Sequence, residues 1–330
     1  MTAFETLEYA PPSWALNAHI QTVVAAKLSA RPRVAYRRER WETPDADFID
    51  ADWVGEPEDG KPLVVLFHGL EGSSLSHYAI ALMHAVRMKN WMGCVAHFRG
   101  CSGEPNRKPR AYFAGDTPEH EWIFASLRKR FPASPIFSAG VSLGGCQVAL
   151  FASRCAETAK ELLTASCAVS APLDLVAANT SMHRGFCKVY IANFLRTLKP
   201  KVVEKCRLFP ELAGIDVKAL EKCTDFVEFD SLFTAPVHGF ADAFDYWRKS
   251  SPKPWLSRTG IPLLLINARN DPFMPAEALP GDADVNGLVT RYYPQDGGHV
   301  GFPSGPFPGT LGFLPRKILA FFEEKLRVAS

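Results

Sequence analysis

The chain has 330 residues, 47% of them hydrophobic, enough to bury the core of one large α/β domain or two smaller ones. Its formal charge of +2 comes from Lys and Arg scattered along the chain, which argues against nucleic acid as a partner. The start, "MTAFETLEYAPPSWALN", lacks the basic residues, apolar core and cleavage site of a secretory leader, and no run reaches the roughly eighteen apolar residues of a membrane span. A cytoplasmic location is therefore expected, with no integral membrane association, although transient contact with a lipid surface is compatible with these features. The eight cysteines form no C-x-x-C pair and mostly lie in apolar segments, as reduced, buried thiols would.

In chain order, an N-terminal extension (1–33) precedes two alternating runs, "VAYRRERW" (34–41) and "DFIDADWV" (47–54), which predict an antiparallel hairpin at a sheet edge. Continuous apolar runs follow: "PLVVLFHG" (62–69), "GCVAHF" (93–98), "PIFSAG" (135–140), "SCAVSA" (166–171), "PLLLINA" (262–268) and "LVTRYYP" (288–294). Such runs suit strands covered on both faces. Helical stretches at 76–90, 117–130, 142–159 and 314–329 alternate with them. The pattern predicts an α/β fold with a doubly wound, mostly parallel sheet of about eight strands. From 174 to 260 no strand-forming run occurs, whereas "HRGFCKVYIANFLRTL" and "HGFADAFDYWRKS" look helical. A structureless connection of that length is improbable in a compact domain, so a helical cap (174–260) is expected, inserted into a core of 1–173 and 261–330. Its position after the fourth parallel strand would set it over the ligand-binding end of the sheet. Aromatics at helical spacing (Phe186, Tyr190, Phe194, Phe240, Phe244, Tyr246 and Trp247) would mostly pack this cap.

The stretch "SAGVSLGGCQ" (138–147) holds a G-x-S-x-G sequence where a strand should end and a helix begin, the context of a nucleophile elbow. Gly140 and Gly144 would leave room for the sharp turn that exposes Ser142. The N–H of Leu143, at the helix start, would face negative charge developing on a substrate carbonyl. A second donor is expected from the loop after the third strand, "HGLEGS", at the N–H of Leu70. An activated serine needs a base and a group to hold that base. His299 in "YYPQDGGHVGF" and Asp271 in "LLLINARNDPFMP" supply both in the chain order Ser, Asp, His of α/β-hydrolases. Asp174 is the rival for the carboxylate, because Asp271 beside Pro272 could simply start a turn. His68 reads as a loop-shaping residue rather than a base. Cys146, one helical turn after Ser142, reads as a packed thiol. Arg99, Arg107 and Arg110 could meet an anionic group, but pairing with Glu104, Asp116 or backbone carbonyls is the preferred reading. No spacing suits a metal, and the first strand-to-helix turn lacks a nucleotide-binding glycine fingerprint, so no cofactor is expected.

The stretches "PPSWALNAHIQT" (11–22), "HGLEGSSLSHYA" (68–79), "HFRGCSGEPNRKPRAYFAGDT" (97–117), "GVSLGG" (140–145), "EFDSLFTAPVHGFADAFDYW" (228–247), "DPFMP" (271–275) and "GGHVGF" (297–302) resemble the YheT-type branch of the α/β-hydrolase superfamily across nearly the whole chain. That branch includes bacterial hydrolases and eukaryotic abhydrolase-domain lipases and esterases. The resemblance implies a Ser142–Asp271–His299 charge relay and hydrolysis of carboxylic esters, with acylglycerols, phospholipids or short- to medium-chain acyl esters as substrates. Two departures stand out: Cys146 where asparagine is common, and "AYFAGDT" in place of a more usual "YHSGET". Because the "PPxW" region begins by Pro11, without the membrane segment of eukaryotic relatives, a soluble bacterial form is expected. An acyltransferase using the same triad and a non-catalytic binder that keeps only the fold are the alternatives.

Overall fold

In the computed structural model, which describes residues 3–329, a sheet of eight strands runs through the molecule in the order β1-β2-β4-β3-β5-β6-β7-β8. The strands are β1 (Arg37–Glu42), β2 (Phe48–Val54), β3 (Leu63–Phe67), β4 (Met92–Ala96), β5 (Ile136–Val141), β6 (Ala165–Val169), β7 (Leu263–Ile266) and β8 (Val289–Tyr292). β1 and β2 form the expected hairpin, β2 runs antiparallel to β4, and the remaining pairings are parallel. Every residue of β3 to β7 is buried, as continuous apolar runs require when helices cover both faces. β1 lies at the edge, and its arginines sit opposite acids on β2: Arg38 faces Asp52 and Arg40 faces Asp50, each through two parallel N–H···O bonds of 2.7 to 2.9 Å. These forks hold the register and leave the outermost strand charged rather than sticky.

Helices His77–Met88 and Phe313–Ala329 cover one face, whereas Thr117–Arg130 and Leu143–Arg154 cover the other. The helical stretch expected at 142–159 breaks at Cys155 and continues as Ala156–Leu162. Between β6 and β7 lie the helices Leu175–Met182, Cys187–Leu208, Val217–Lys222 and Ala243–Ser250. The longest of these buries Cys187, Ile191, Leu195, Leu198 and Val202 at spacings of three and four residues, one stripe of a helix. That stripe joins a separate apolar cluster with Phe226, Phe229, Phe233 and Trp247, and the cluster reaches Leu70 and Leu143 at the strand ends. Two of the aromatics assigned to packing, Phe186 at the start of the longest helix and Phe244, remain largely exposed and pack only along one edge, Phe186 against His19 and Tyr190 and Phe244 against Trp247. A further helix, Ala18–Lys27, falls within the region read from sequence only as an N-terminal extension. Its cap is Asn17, whose side chain accepts the N–H of Ile20 at 3.0 Å.

Candidate active site

β5 ends at Val141, the helix Leu143–Arg154 begins two residues later, and Ser142 between them has φ +54°. An L-residue is rarely found there, and holding one costs about 1–3 kcal/mol. Glycines make the bend feasible. A Cβ on Gly140 would lie 2.2 Å from the carbonyl oxygen of Gly144, and one on Gly144 would lie 2.3 Å from that of Phe67. The helix start is thereby pressed against the end of β3. The Ser142 N–H donates to Val169 O at 2.8 Å, which fixes the backbone while the side chain faces a cavity.

His299 Nε2 lies 3.0 Å from Ser142 Oγ, and His299 Nδ1 lies 3.0 Å from Asp271 Oδ2. The three sequence-selected side chains thus form one row. The Asp271 carboxylate is fully buried, and its Oδ1 accepts the Phe273 N–H at 2.8 Å. With a carboxylate at Nδ1, that nitrogen carries the proton and Nε2 is left to accept from the serine hydroxyl. Phe273 also stacks on the imidazole with ring centres 4.0 Å apart. Asp174 is elsewhere: it caps the helix Leu175–Met182 by accepting the Ala177 N–H at 3.0 Å.

The loop that carries His299 is held at each successive amide. Gly297 N–H donates to Gln21 Oε1 (2.8 Å), Gly298 N–H to Asn270 Oδ1 (2.9 Å), His299 N–H to Thr22 Oγ1 (2.9 Å) and Val300 N–H to Ser170 Oγ (3.0 Å). Gln21 and Thr22 come from the N-terminal helix, Ser170 from the end of β6. Sequence reasoning missed these anchors; the one signal for Gln21 and Thr22 was their polarity inside the largely apolar stretch "AHIQTVVAA". Ser170 and Val300 both have positive φ, as do Glu71 and Phe302, so strained residues gather on the loops around the serine.

On the other side of Ser142 lies the loop after β3, where a Cβ on Gly69 would stand 3.2 Å from Ser142 Cβ. Gly69 N–H donates to Tyr78 Oη at 2.8 Å and Glu71 N–H to Tyr112 Oη at 3.2 Å, but the Leu70 N–H between them has no partner among the described residues. The first amide of the helix, Leu143, is likewise free, as helix starts leave it. Both residues line the cavity with Ser142 and His299. His68 is buried with its Nδ1 2.8 Å from Gly69 O, and its Nε2 accepts the Phe98 N–H at 3.1 Å. Burial pushes this imidazole down to about 3, so it is a neutral hydrogen-bonding brace for the loop, as its sequence context predicted.

The cavity above these groups measures about 640 Å³, within the range of about 300–1,000 Å³ typical of small-molecule sites. Its apolar wall includes Phe194, Leu198, Phe226, Phe229, Phe233 and Trp247 from the inserted segment. Within that wall Asp230, on a turn of π-helix (Asp230–Thr234), accepts from Thr234 Oγ1 at 2.6 Å and Trp247 Nε1 at 2.8 Å. Burial raises its carboxyl to about 6. Cys146 is fully buried with its thiol directed at Ser250 O, and burial raises its pKa, which keeps it protonated. Among the described residues no group of acids, histidines and cysteines could hold a metal ion.

The three loop arginines are all paired, Arg110 with the expected Asp116 and the other two with acids outside the expected set. Arg99 binds Asp45, Asp47 and Glu119, Arg107 binds Glu42, and Arg110 binds Asp116. Glu104 pairs instead with Arg40 of β1, because the 97–117 loop folds against the hairpin. No helix among the described residues is long and apolar enough to cross a membrane.

Comparison with known proteins agrees with this architecture. The family described as the alpha/beta hydrolase fold matches residues 62–306. The candidate esterase YheT of Escherichia coli (strain K12) is 38% identical over 90% of this chain and 88% of its own length. Phospholipase ABHD3 of Mus musculus is 29% identical over 96% of this chain and 79% of its own. Among solved structures, the Pyrococcus furiosus esterase Pf2001 superposes with a TM-score of 0.52 at 16% identity, covering 91% of this chain and 95% of that one, a likeness of fold alone. On these grounds the chain belongs to the α/β-hydrolase superfamily and, within it, to the esterase- and lipase-like YheT-type branch.

Proposed function

We propose that this protein is a cofactor-free serine carboxylic-ester hydrolase in which Ser142 is the nucleophile, His299 the general base and acid, and Asp271 the group that orients the imidazole. The observation that carries the reading is the row Ser142 Oγ–His299 Nε2–Asp271, with both links at 3.0 Å, opening into a largely apolar cavity.

In this mechanism His299 Nε2 takes the proton of Ser142 as Oγ attacks the ester carbonyl carbon. The resulting oxyanion accepts from the Leu143 and Leu70 N–H groups, each worth about 3–4 kcal/mol to the transition state. Collapse breaks the bond to the alcohol oxygen, which receives the proton from His299. The acyl-enzyme that remains is attacked by water, activated by the same imidazole, and releases the acid. The helices at 174–260 act as a cap, and their aromatic wall would receive the acyl chain, in keeping with short- to medium-chain esters and with the phospholipase relative. Turnover of p-nitrophenyl butyrate should show a burst of p-nitrophenol that scales with enzyme concentration. Ser142→Ala should lose both burst and turnover, by at least about a thousandfold. Equal rates in the two proteins would remove the proposal.

A further inference from the structure

Glu71 occupies a backbone position that ordinarily calls for a different residue. Gly72 N–H donates to Gly69 O at 2.9 Å, which closes a turn over residues 69–72, and Glu71 is the third residue with φ +56°. Glycine or asparagine is the usual occupant of such a place. The closing bond has a purpose: Gly69 O is held by both Gly72 N–H and His68 Nδ1, and a planar trans peptide then sends the next N–H, that of Leu70, the opposite way. Whatever holds Glu71 in this conformation therefore aims the Leu70 amide.

The side chain of Glu71 is 7% exposed and is gripped from two directions. Tyr112 Oη donates to its Oε1 at 3.0 Å, and the same oxygen of Tyr112 accepts the Glu71 N–H at 3.2 Å. Lys201 Nζ, from the inserted helix Cys187–Leu208, pairs with Oε2 at 2.8 Å. Tyr112 is itself stacked on Phe98 with ring centres 5.0 Å apart. One turn further along the inserted helix, Lys205 Nζ donates to the carbonyls of Lys108 and Arg110, on the loop that carries Tyr112.

We propose that Glu71 is a positioning residue for the Leu70 oxyanion donor and that Lys201 completes it, so that the amide is correctly aimed only while the inserted helix is docked on the loop. This rests on the serine-hydrolase reading above, since it assigns a task to one of that reading's donors. The strut spends a strained backbone and a nearly buried carboxylate on a contact that reaches across from the inserted segment to the core. Withdrawal of the helix would release the loop and leave the oxyanion with one amide, so ester cleavage would be coupled to closure over the substrate.

The test compares Glu71→Gln, Lys201→Met, their double variant, Lys201→Arg and Glu71→Gly in p-nitrophenyl butyrate turnover, inhibition by an alkyl boronic acid and thermal unfolding. Because the contact would matter only in the transition state, Glu71→Gln and Lys201→Met should each lower kcat about tenfold, with KM within about twofold. Boronate affinity should fall by the same factor, the double variant should be no worse than either single, and Lys201→Arg should recover the rate. Glu71→Gly separates aiming from folding: it relieves the strained φ, so Tm should hold or rise while kcat falls. Wild-type kcat in Glu71→Gly or in Lys201→Met, whose site is half exposed, would overturn the proposal, as would parallel loss of Tm and activity. If the wild type itself turned over no ester, the serine-hydrolase reading would have failed; active wild type with indifferent variants would sink the strut alone.

Discussion

Asp271 meets His299 only at Nδ1, on the edge of the ring, and this contact decides which nitrogen can accept from Ser142. In Asp271→Asn an amide would oppose Nδ1, the proton would move to Nε2, and the serine would face a donor instead of a base. We expect kcat to fall on the order of 10³–10⁴-fold with little change in Tm; a fall under tenfold would show that the carboxylate does not set the tautomer. Thr22 acts one step further out by accepting the His299 N–H. Thr22→Val keeps the shape and removes the acceptor, leaving an amide unpaired at a cost of about 1–3 kcal/mol. Burst kinetics should show acylation slowed about tenfold at unchanged KM. The serine, histidine and carboxylate were readable from sequence because their chemistry is tied to the elbow and to chain order. Thr22 and Gln21 were not, because a side chain that acts by holding a loop some 275 residues away leaves no local pattern.

At the scale of elements, the strands of the sheet were legible because continuous apolar runs have few other uses in a chain of this composition. The N-terminal helix Ala18–Lys27 was not singled out, since its apolar residues follow no clear stripe: Gln21 and Thr22 face the His299 loop, while Ala25 packs with Ala81 and Leu311. Pairing partners of Arg99 and Arg107 were equally hidden, since they depend on how one loop folds onto a hairpin. Within the inserted segment, the π-helical turn places Asp230 beside Trp247 in the cavity wall. Its carboxyl is raised to about 6 in the folded protein, against about 3.9 in an unfolded chain. The folded state therefore binds the proton more tightly, and this group's contribution to stability diminishes as pH rises from about 4 to about 6. Asp230→Asn carries no such titration. Its unfolding free energy relative to wild type should improve across that window and stay constant above about pH 7. Denaturant melts at a series of pH values check this, and a constant difference from pH 4 to 8 would contradict it.

For the whole molecule, the doubly wound sheet fixes the Ser142–His299–Asp271 row at the carboxyl ends of β5, β7 and β8, while the helices between β6 and β7 wall the space above it. Burying one more methylene against that wall is worth about 0.8 kcal/mol, or about fourfold in kcat/KM. Across p-nitrophenyl esters of increasing length, kcat/KM should climb by roughly this factor per carbon through the short chains, peak at medium length and fall when the cavity of about 640 Å³ is full. Phe229→Ala should move the peak to longer chains; a profile indifferent to length in both proteins would mean that the wall does not hold the acyl group. Such a size limit is a property of packed helices and was beyond the reach of residue patterns, which gave only the presence of an insertion.

The most direct test of the central claim is the site of covalent capture by a fluorophosphonate, read by peptide mass. One adduct is expected, on Ser142, absent in Ser142→Ala and strongly slowed in His299→Ala. An unlabelled wild type, or an adduct on another residue that survives in Ser142→Ala, would contradict it.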